Sequence, residues 1–302
     1  MPAPVRVVVV TWSSSAVLPR FLSSLRSATS SPYDVVVADN ASPTGPPAVP
    51  EGVRLLETGG NLGYGKGANL GASGFAGDWL VIANPDVEWE PGALDELIEA
   101  AGRWPRAGCL GPAIRTTDGR LYPSARAFPS LGRGLGHAVF GPFWPGNPWT
   151  RSYRAEVGTP VEGRTGWLSG SLMLVRRQAW EQVGGFDPKY FMYCEDMDLC
   201  RRLAEAGWDN VYVPSAVITH VGGHATAARP KAMLREHHRA LYTYLSEHYR
   251  GPRWAPLRAL LGAGLLARYL VAARVRSVGE GAAPTRSADL LEGNPVSQEN
   301  AS

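Results

Sequence analysis

Through the first third of the chain, short unbroken runs of apolar, often β-branched residues alternate with segments whose apolar residues recur every three or four positions. The runs predict strands at residues 5–11, 33–38, 53–56 and 79–83. The spaced segments predict helices at residues 18–28, 67–75 and 92–104. This alternation predicts a parallel sheet with helices on both faces. Because such sheets bind ligands at the carboxyl ends of their strands, residues that follow strands are the first functional candidates.

The rest of the chain is less regular. Residues 115–164 are rich in loops, and an aromatic, proline-containing stretch at 141–149 is either a functional loop or a packing flap. Strands are predicted at 172–175, 210–213 and 217–219, and helices at 195–206 and 232–249. The small and polar residues after about 277 predict a disordered tail.

Composition narrows the class of protein. Apolar residues make up 44% of the 302 and charged residues 19%, which excludes a wholly disordered chain and a polytopic membrane protein. Three cysteines in no CxxC pair argue against a disulfide framework or a structural zinc site and favour a reducing compartment.

The basic residues are unevenly distributed. The net charge is +3, yet six arginines and no acid lie between residues 250 and 279, and the other 24 basic residues are outnumbered by 27 acidic ones. The basic character therefore belongs to the C-terminal segment, where it fits a local anionic surface and disfavours a nucleic-acid binder. Apolar residues among these arginines could lie on a membrane, although the arginines do not share one helix face. Packing of the same segment on the domain or on a partner subunit is an equal alternative.

Two polar groups that follow strands could bind a nucleotide. The first consists of Thr11, Trp12, Asp39 and Asn40, which could hydrogen-bond a base and sugar, although Asp39-Asn40 could also be only a turn. The second is the glycine-rich stretch 61–69, where a backbone can approach a phosphate ahead of a helix N-terminus. A flexible loop is the alternative for that stretch.

Two acidic features suggest chemistry. Asp86 follows the strand at 79–83, where a carboxylate can hold a divalent cation that bridges a diphosphate. His220 ends a later strand, as a second metal ligand could, and His224 follows it. Glu195, Asp196 and Asp198 crowd the first turn of a helix beside an aromatic stretch, so helix capping is one explanation and a desolvated general base is another.

Five separated blocks together resemble the inverting family-2 glycosyltransferases: VVVVTW, VVVADNAS, NLGYGKGAN, ANPDVEW and GWLSGSLMLVRR…VGGFDPKYFMYCEDMDL. Finer stretches such as LYPSAR and FMYCEDMDLCRRL resemble the rhamnosyltransferases of actinobacterial arabinogalactan-linker synthesis. That subgroup moves L-rhamnose from dTDP-L-rhamnose to N-acetylglucosaminyl-diphospho-decaprenol. A different nucleotide-sugar donor, or a non-catalytic nucleotide-sugar-binding scaffold in wall assembly, stays open as an alternative.

The resemblance implies an α/β chain with the GT-A nucleotide-diphospho-sugar transferase fold, a Rossmann-like mixed and mainly parallel sheet with flanking helices, plus C-terminal helices. It assigns Asp196 as general base with Glu195 beside it, and Asp86 as ligand of Mg²⁺ or Mn²⁺ with His220 as a second ligand. Nucleotide-sugar-binding residues would be Thr11, Trp12, Asp39, Asn40, Asn61, Gly63, Lys66, Asn69, Asn84 and Asp86. Acceptor-binding residues would be Trp167, Ser169, Gly170 and Ser171. Asn84 replaces the first acid of the DxD motif seen in many GT-A enzymes, which weakens the expectation of a metal.

The expected organisation is a catalytic domain at 1–225, with a nucleotide half at about 1–110 and an acceptor half at about 111–225. A helical, basic segment at 226–276 would contact the membrane peripherally, and 277–302 would be the disordered tail. The expected partners are dTDP-L-rhamnose and a polyprenyl-diphosphate-linked N-acetylglucosamine, with no nucleic acid. The expected location is the cytoplasm, at the inner face of the plasma membrane, and a homo-oligomer stays open.

Overall fold

A computed structural model describes residues 4–129, 161–222 and 230–281 of the chain. The predicted functional loop at 141–149, His224 and the tail from 282 onward lie outside the described residues.

One mixed sheet forms the centre of the fold. Its strands are β1 (Val5–Thr11), β2 (Tyr33–Asp39), β3 (Val53–Glu57), β4 (Trp79–Ala83), β5 (Val87–Trp89), β6 (Ala107–Arg115), β7 (Leu121–Tyr122), β9 (Gly163–Thr165), β11 (Leu172–Arg176) and β12 (Asp209–His220). Their order is β3-β2-β1-β4-β11-β6-β12-β5, with β7 on β6 and β9 on β12. A separate ribbon joins β8 (Ala125–Arg126) to β10 (Trp167–Leu168).

The first four strands in this order are parallel, as the sequence predicts. Val7 lies between Val35 and Val81 in register, and the valines of β1 are buried because both faces of the sheet are covered. The same register places Thr11, at the end of β1, beside Asp39, at the end of β2. The polar residues that follow these two strands therefore meet at one edge.

The second half of the sheet changes direction. Strand β11 is antiparallel to both β4 and β6, whereas β12 is parallel to β6 and antiparallel to β5. The two strands predicted at 210–213 and 217–219 are one strand, β12, with an irregularity between Val213 and Val217. The pairing of β12 with β5 sets His220 opposite Val87, next to Asp86 in the chain.

Helices cover both faces of the sheet. They are α1 (Leu18–Ala28), α2 (Tyr64–Ala72), α3 (Ala93–Arg103), α4 (Arg177–Val183), α5 (Glu195–Glu205), α6 (Pro230–His248) and α7 (Ala255–Gly281), with a 3-10 turn at Pro252–Trp254. One core contains Phe21 of α1 and Leu97 of α3. The other contains Ala68 of α2, Trp180 of α4 and Leu199 of α5.

The two C-terminal helices pack beside the start of α5. Ala240 and Tyr244 of α6 are buried against Tyr190 and Met197, and α7 packs on α6. Helix α7 runs to Gly281 and so enters the segment predicted to be disordered from 277. The helix simply continues past residue 277, and the small and polar residues of the tail gave no sign of this in the sequence.

Sequence patterns placed some boundaries wrongly and missed some elements. Helix α2 begins at Tyr64, three residues before its predicted start, because glycine-rich residues mask helical spacing. Strand β6 was not predicted, although its first eight residues are buried, because Gly108, Gly111 and Pro112 interrupt it.

Candidate active site

The ends of β1 and β2 form a closed hydrogen-bonded corner. Asp39 is 1% exposed, and its carboxylate accepts bonds from the Thr11 hydroxyl at 2.9 Å and from the hydroxyl and amide of Ser42 at 2.6 and 2.9 Å. These contacts hold the turn that follows β2, which is the role that the alternative interpretation gave to Asp39 and Asn40. The Asp39 carboxylate would therefore have to accept the predicted hydrogen bond from a nucleobase in addition to these three hydrogen bonds. Trp12 follows directly, with its backbone N–H 3.4 Å from the Ser14 hydroxyl.

Asn40 joins this corner to the glycine-rich loop. Its Nδ2 donates to the Gly63 carbonyl at 3.0 Å, and the Asn61 side chain accepts from the Gly63 amide at 3.2 Å. Gly63 has φ +88° and ψ 172°, a conformation that is essentially restricted to glycine. Lys66 lies half-buried in the first turn of the helix that follows. The loop is therefore a positioned backbone at a helix N-terminus, as phosphate binding needs.

Asn69, which is predicted to lie along the ribose and diphosphate, uses its side-chain amide to bind the protein backbone. Its Nδ2 donates to the Phe186 carbonyl at 2.8 Å, and its Oδ1 accepts from the Phe186 amide at 3.0 Å. With both ends of the amide engaged, Asn69 ties α2 to the loop before α5.

Asp86 and His220 contact each other at the junction of β5 and β12. Oδ1 of Asp86 is 3.0 Å from Nε2 of His220, and Nδ2 of Asn84 is 3.4 Å from the same nitrogen. The other ring nitrogen, Nδ1, is 3.4 Å from the Ser171 hydroxyl. Metal-bound histidines commonly hold their second nitrogen in such a contact.

The pair fits a divalent cation as part of its ligand set. A carboxylate oxygen and an imidazole nitrogen suit Mn²⁺ and, less well, Mg²⁺. Within the described residues, no group of three or more His, Cys, Asp or Glu side chains could hold a metal ion. Substrate phosphates would have to complete the coordination, as the absence of a DxD motif suggests.

The tripeptide Ser169-Gly170-Ser171 connects the metal-competent pair to the acidic helix. The backbone N–H of Asn84 donates to the Ser171 carbonyl at 2.9 Å, and the hydroxyls of Ser169 and Ser171 are 3.2 Å apart. The Gly170 amide donates to Oδ2 of Asp196 at 2.8 Å. The predicted acceptor residues thus form a junction between the two acidic features, and Ser171 belongs to the side of His220.

Asp196 and Glu195 occupy different environments at the start of α5. Asp196 accepts backbone N–H bonds from Gly170 and from Met197 at 2.7 Å, whereas Glu195 is buried and its Oε2 has no hydrogen-bond partner. Burial raises the pKa of both carboxyl groups, and the neighbouring Asp196 charge raises the pKa of Glu195 further. Asp196 receives two backbone N–H bonds from other residues, whereas Oε2 of Glu195 has none and the Glu195 pKa is raised to about 8, so Asp196 is the group of the pair that ionises first.

The third acid of the cluster is structural. Asp198 is fully buried, and its two oxygens accept from Arg201 at 3.0 Å and from Arg202 at 2.7 Å. These are intrahelical i,i+3 and i,i+4 pairs, which stabilise α5 rather than face a substrate.

Backbone strain is concentrated at this site. The described non-glycine residues with positive φ are Ser13, Ala41, Tyr193 and Cys194, with φ between 54° and 71°. The first two follow β1 and β2, and the other two immediately precede Glu195. Such conformations cost about 1–3 kcal/mol each and persist where the surrounding structure enforces them.

Two residues near the base were missed from the sequence. The Tyr64 hydroxyl donates to the Gly170 carbonyl at 2.8 Å, and burial and the charges of Glu195 and Asp196 raise its pKa. Arg126 carries a positive charge close enough to lower the pKa of Asp196 against the effect of burial. The aromatic residue inside a glycine-rich loop was a usable signal for Tyr64, and Arg126 ends the LYPSAR stretch, whose resemblance gave this arginine no role.

Comparisons with known proteins agree with this geometry. The family described as "Glycosyltransferase like family 2" matches residues 2–243. An N-acetylglucosaminyl-diphospho-decaprenol L-rhamnosyltransferase from Mycobacterium tuberculosis is 52% identical over 277 residues, covering 87% of this chain and 90% of the relative.

Solved structures resemble the fold at low sequence identity. The mannosyltransferase PcManGT from Pyrobaculum calidifontis, in complex with GDP-Man and Mn²⁺, gives a TM-score of 0.55 at 16% identity over 93% of this chain and 80% of its own. GalNAc-T7 with UDP, GalNAc and Mn²⁺ gives 0.54 at 15% identity over 73% of this chain and 44% of its own. The predicted fold class is confirmed: a mixed, mostly parallel sheet with flanking helices, in the manner of GT-A glycosyltransferases, followed by C-terminal helices.

Proposed function

The chain belongs to glycosyltransferase family 2, and from that membership we propose that it transfers L-rhamnose from dTDP-L-rhamnose to N-acetylglucosaminyl-diphospho-polyprenol. The name of the mycobacterial relative describes this transfer to a decaprenol-linked acceptor. The observation that carries the proposal is the junction at 169–171, which joins a positioned carboxylate, Asp196, to the Asp86–His220 pair.

The proposed reaction is a single displacement. Asp196 removes the proton from an acceptor hydroxyl, and the oxygen attacks C1 of rhamnose from the face opposite the nucleotide. The bond from C1 to the diphosphate oxygen breaks, and dTDP leaves with the electron pair, so the anomeric centre inverts. A general base of this kind contributes about 10²–10⁴-fold to the rate.

The donor diphosphate would lie at the carboxyl ends of β1, β2 and β4. Thr11, Asp39 and Asn40 would hold the corner around the nucleoside, Asn61 and Gly63 would lie along the ribose and diphosphate, and Lys66 would bring positive charge near the phosphates. Asp86 and His220, with Asn84 beside them, would hold a Mg²⁺ or Mn²⁺ ion, which would supply positive charge to stabilise the leaving diphosphate. The Mn²⁺ bound in the two structural neighbours supports a divalent metal in this chain.

The same division into halves is part of the proposal. Apart from His220, the donor-side residues come from the nucleotide half at about 1–110, while Trp167 and the 169–171 junction come from the acceptor half at about 111–225. Free Cys109, Cys194 and Cys200 are consistent with a cytoplasmic location.

The C-terminal helices would hold the enzyme at the inner face of the plasma membrane. No helix in the described part of the chain is long and apolar enough to cross a bilayer. Leu260, Leu266 and Leu270 of α7 are nonetheless 71%, 59% and 49% exposed. A groove of about 550 Å³ between α6 and α7 combines Arg235 and Arg239 with leucine side chains, as contact with an anionic lipid surface would need. Truncation after Tyr249 should abolish liposome flotation, and unchanged flotation would contradict the membrane assignment.

The first experiment is transfer by the purified protein. It should be incubated with dTDP-L-rhamnose, a synthetic N-acetylglucosaminyl-diphospho-prenol and Mg²⁺ or Mn²⁺, with and without EDTA, and the product mass measured. We expect a product heavier by one deoxyhexose that is lost with EDTA. A product that survives EDTA would remove the metal role of Asp86, and no product with this donor or a UDP-hexose panel would favour the non-catalytic scaffold.

A further inference from the structure

Arg126 is held in a fixed position by the ribbon that lies beside the acidic helix. Strand β8 pairs with β10, which sets Arg126 opposite Trp167. The guanidinium carbon lies 5.3 Å from the centroid of the Trp167 ring and 5.4 Å from that of Tyr122. Its Nε donates to the Pro123 carbonyl at 3.0 Å. Contact with aromatic rings keeps the planar guanidinium ordered and fixes its orientation.

The same ribbon leads into the junction that holds the base. Two residues after Trp167 comes Ser169, and the next residue, Gly170, donates its amide to Asp196. The charge of Arg126 stabilises the Asp196 carboxylate. Arg126 therefore places a cation near the proposed base, on the segment that carries Trp167.

The charge has a direct match in the proposed acceptor. The acceptor sugar, N-acetylglucosamine, carries the lipid diphosphate on its anomeric carbon. When one of its hydroxyls lies at Asp196, that diphosphate is therefore no more than one sugar ring away from the base. The Asp86–His220 pair contacts the 169–171 junction at Ser171, whereas Asp196 contacts it at Gly170, and the pair is assigned to the donor diphosphate. A guanidinium binds phosphate oxygens through paired N–H donors, which makes arginine suited to such a group.

We propose that Arg126 is a specificity-determining residue that binds the diphosphate of the lipid-linked acceptor. The inference rests on the proposed function for the identity of the acceptor. It explains how an enzyme whose base faces a sugar hydroxyl could select N-acetylglucosamine on a diphosphate over the same sugar without one.

The test measures binding to the full-length protein, so that it does not depend on turnover. Two probes are compared by calorimetry: N-acetylglucosaminyl-diphospho-farnesol and an alkyl N-acetylglucosaminide without phosphate. Arg126→Gln should raise the Kd of the diphosphate probe about 10- to 100-fold, the range for a lost charged hydrogen bond, and leave the Kd of the phosphate-free probe unchanged. Arg126→Lys should weaken binding less than Arg126→Gln, because lysine keeps the positive charge but lacks the paired N–H donors of a guanidinium.

Arg120→Gln is the matched control. Arg120 precedes β7 in the same segment, is 83% exposed and pairs with Asp118, so its loss should change neither Kd. Equal weakening of both probes by Arg126→Gln would make Arg126 structural, and an unchanged Kd for the diphosphate probe would refute the proposal, as would the absence of diphosphate binding by the wild type. A wild type that binds the diphosphate probe through Arg126 but transfers no rhamnose would instead contradict the proposed function alone.

Discussion

Replacing Gly63 by alanine should uncouple the nucleotide loop from the catalytic helix. A Cβ at this position would lie 2.1 Å from the Phe191 carbonyl oxygen, whereas Cβ atoms do not approach closer than 3.0 Å. Relieving the contact requires a movement of about 1 Å by the Phe191 backbone or the start of α2. The Tyr64 amide, which donates to the same oxygen at 2.9 Å, would lose its bond geometry.

The displacement would reach the base through a short path. Phe191 is five residues before Asp196, and the intervening Tyr193 and Cys194 already have φ of 71° and 63°, so this segment has little freedom to absorb a shift. A misplacement of about 1 Å can cost about 10²-fold in rate. The strained backbone conformation of alanine at residue 63 adds about 1–3 kcal/mol of lost stability.

The assay compares Gly63→Ala with Gly60→Ala. Gly60 lies in the same loop, but a Cβ there meets no atom within 4 Å and its φ is not in the left-handed region, so its substitution should change stability by less than about 0.5 kcal/mol. Initial rates of dTDP release and thermal unfolding are measured for both. If Gly63→Ala lowers the unfolding temperature but keeps the kcat of Gly60→Ala, the contact with Phe191 does not position the base.

Four further predictions concern the acids of α5. Asp196→Asn should lower kcat by at least about 100-fold, whereas Glu195→Gln should retain most activity because that side chain is already protonated; steady-state rates of the two isosteric variants check this. Burial raises the pKa of Asp196 above 3.8. We therefore expect kcat to increase with pH as Asp196 ionises, with the midpoint of the increase above pH 3.8. The raised pKa values of the pair also mean that the folded state binds these protons more tightly than the unfolded chain, so the free energy of unfolding falls as pH rises through them. Glu195→Gln should reduce that fall in urea titrations, and a fall as steep as that of the wild type would contradict the pairing. Asp198→Asn should cost about 3 kcal/mol, since it weakens both buried ion pairs, and calorimetry should show a melting temperature about 5 °C lower.

The sequence predicted the features whose cause is local. Thr11 and Asp39 end buried valine runs, so the register of two parallel strands brings them together once those strands are recognised. Crowded acids at a helix start marked Glu195 and Asp196 in the same way. Both signals lie within a few residues of the feature that they indicate.

Features that depend on distant pairing could not be predicted. Asn69 of α2 contacts Phe186 across 117 residues, so its sequence neighbours could not show that its side chain joins two elements. The junction at 169–171 exists because β11 inserts antiparallel between β4 and β6, which no alternation of strands and helices indicates. Arg126 is positioned by a ribbon whose strands have two residues each, too short to show a pattern.

The three carboxylates at the start of α5 show how packing separates roles that a sequence motif leaves together. Asp198 is neutralised by two arginines of its own helix, burial and the Asp196 charge raise the pKa of Glu195 to about 8, and Asp196 receives backbone N–H bonds from Gly170 and Met197 that stabilise its charge. The helix N-terminus favours all three equally. The choice of base is therefore made by the Gly170 amide, and through Gly170 the base is tied to Ser171, His220 and Asp86. Deprotonation of the acceptor and charge stabilisation on the donor would thus depend on the placement of one short segment.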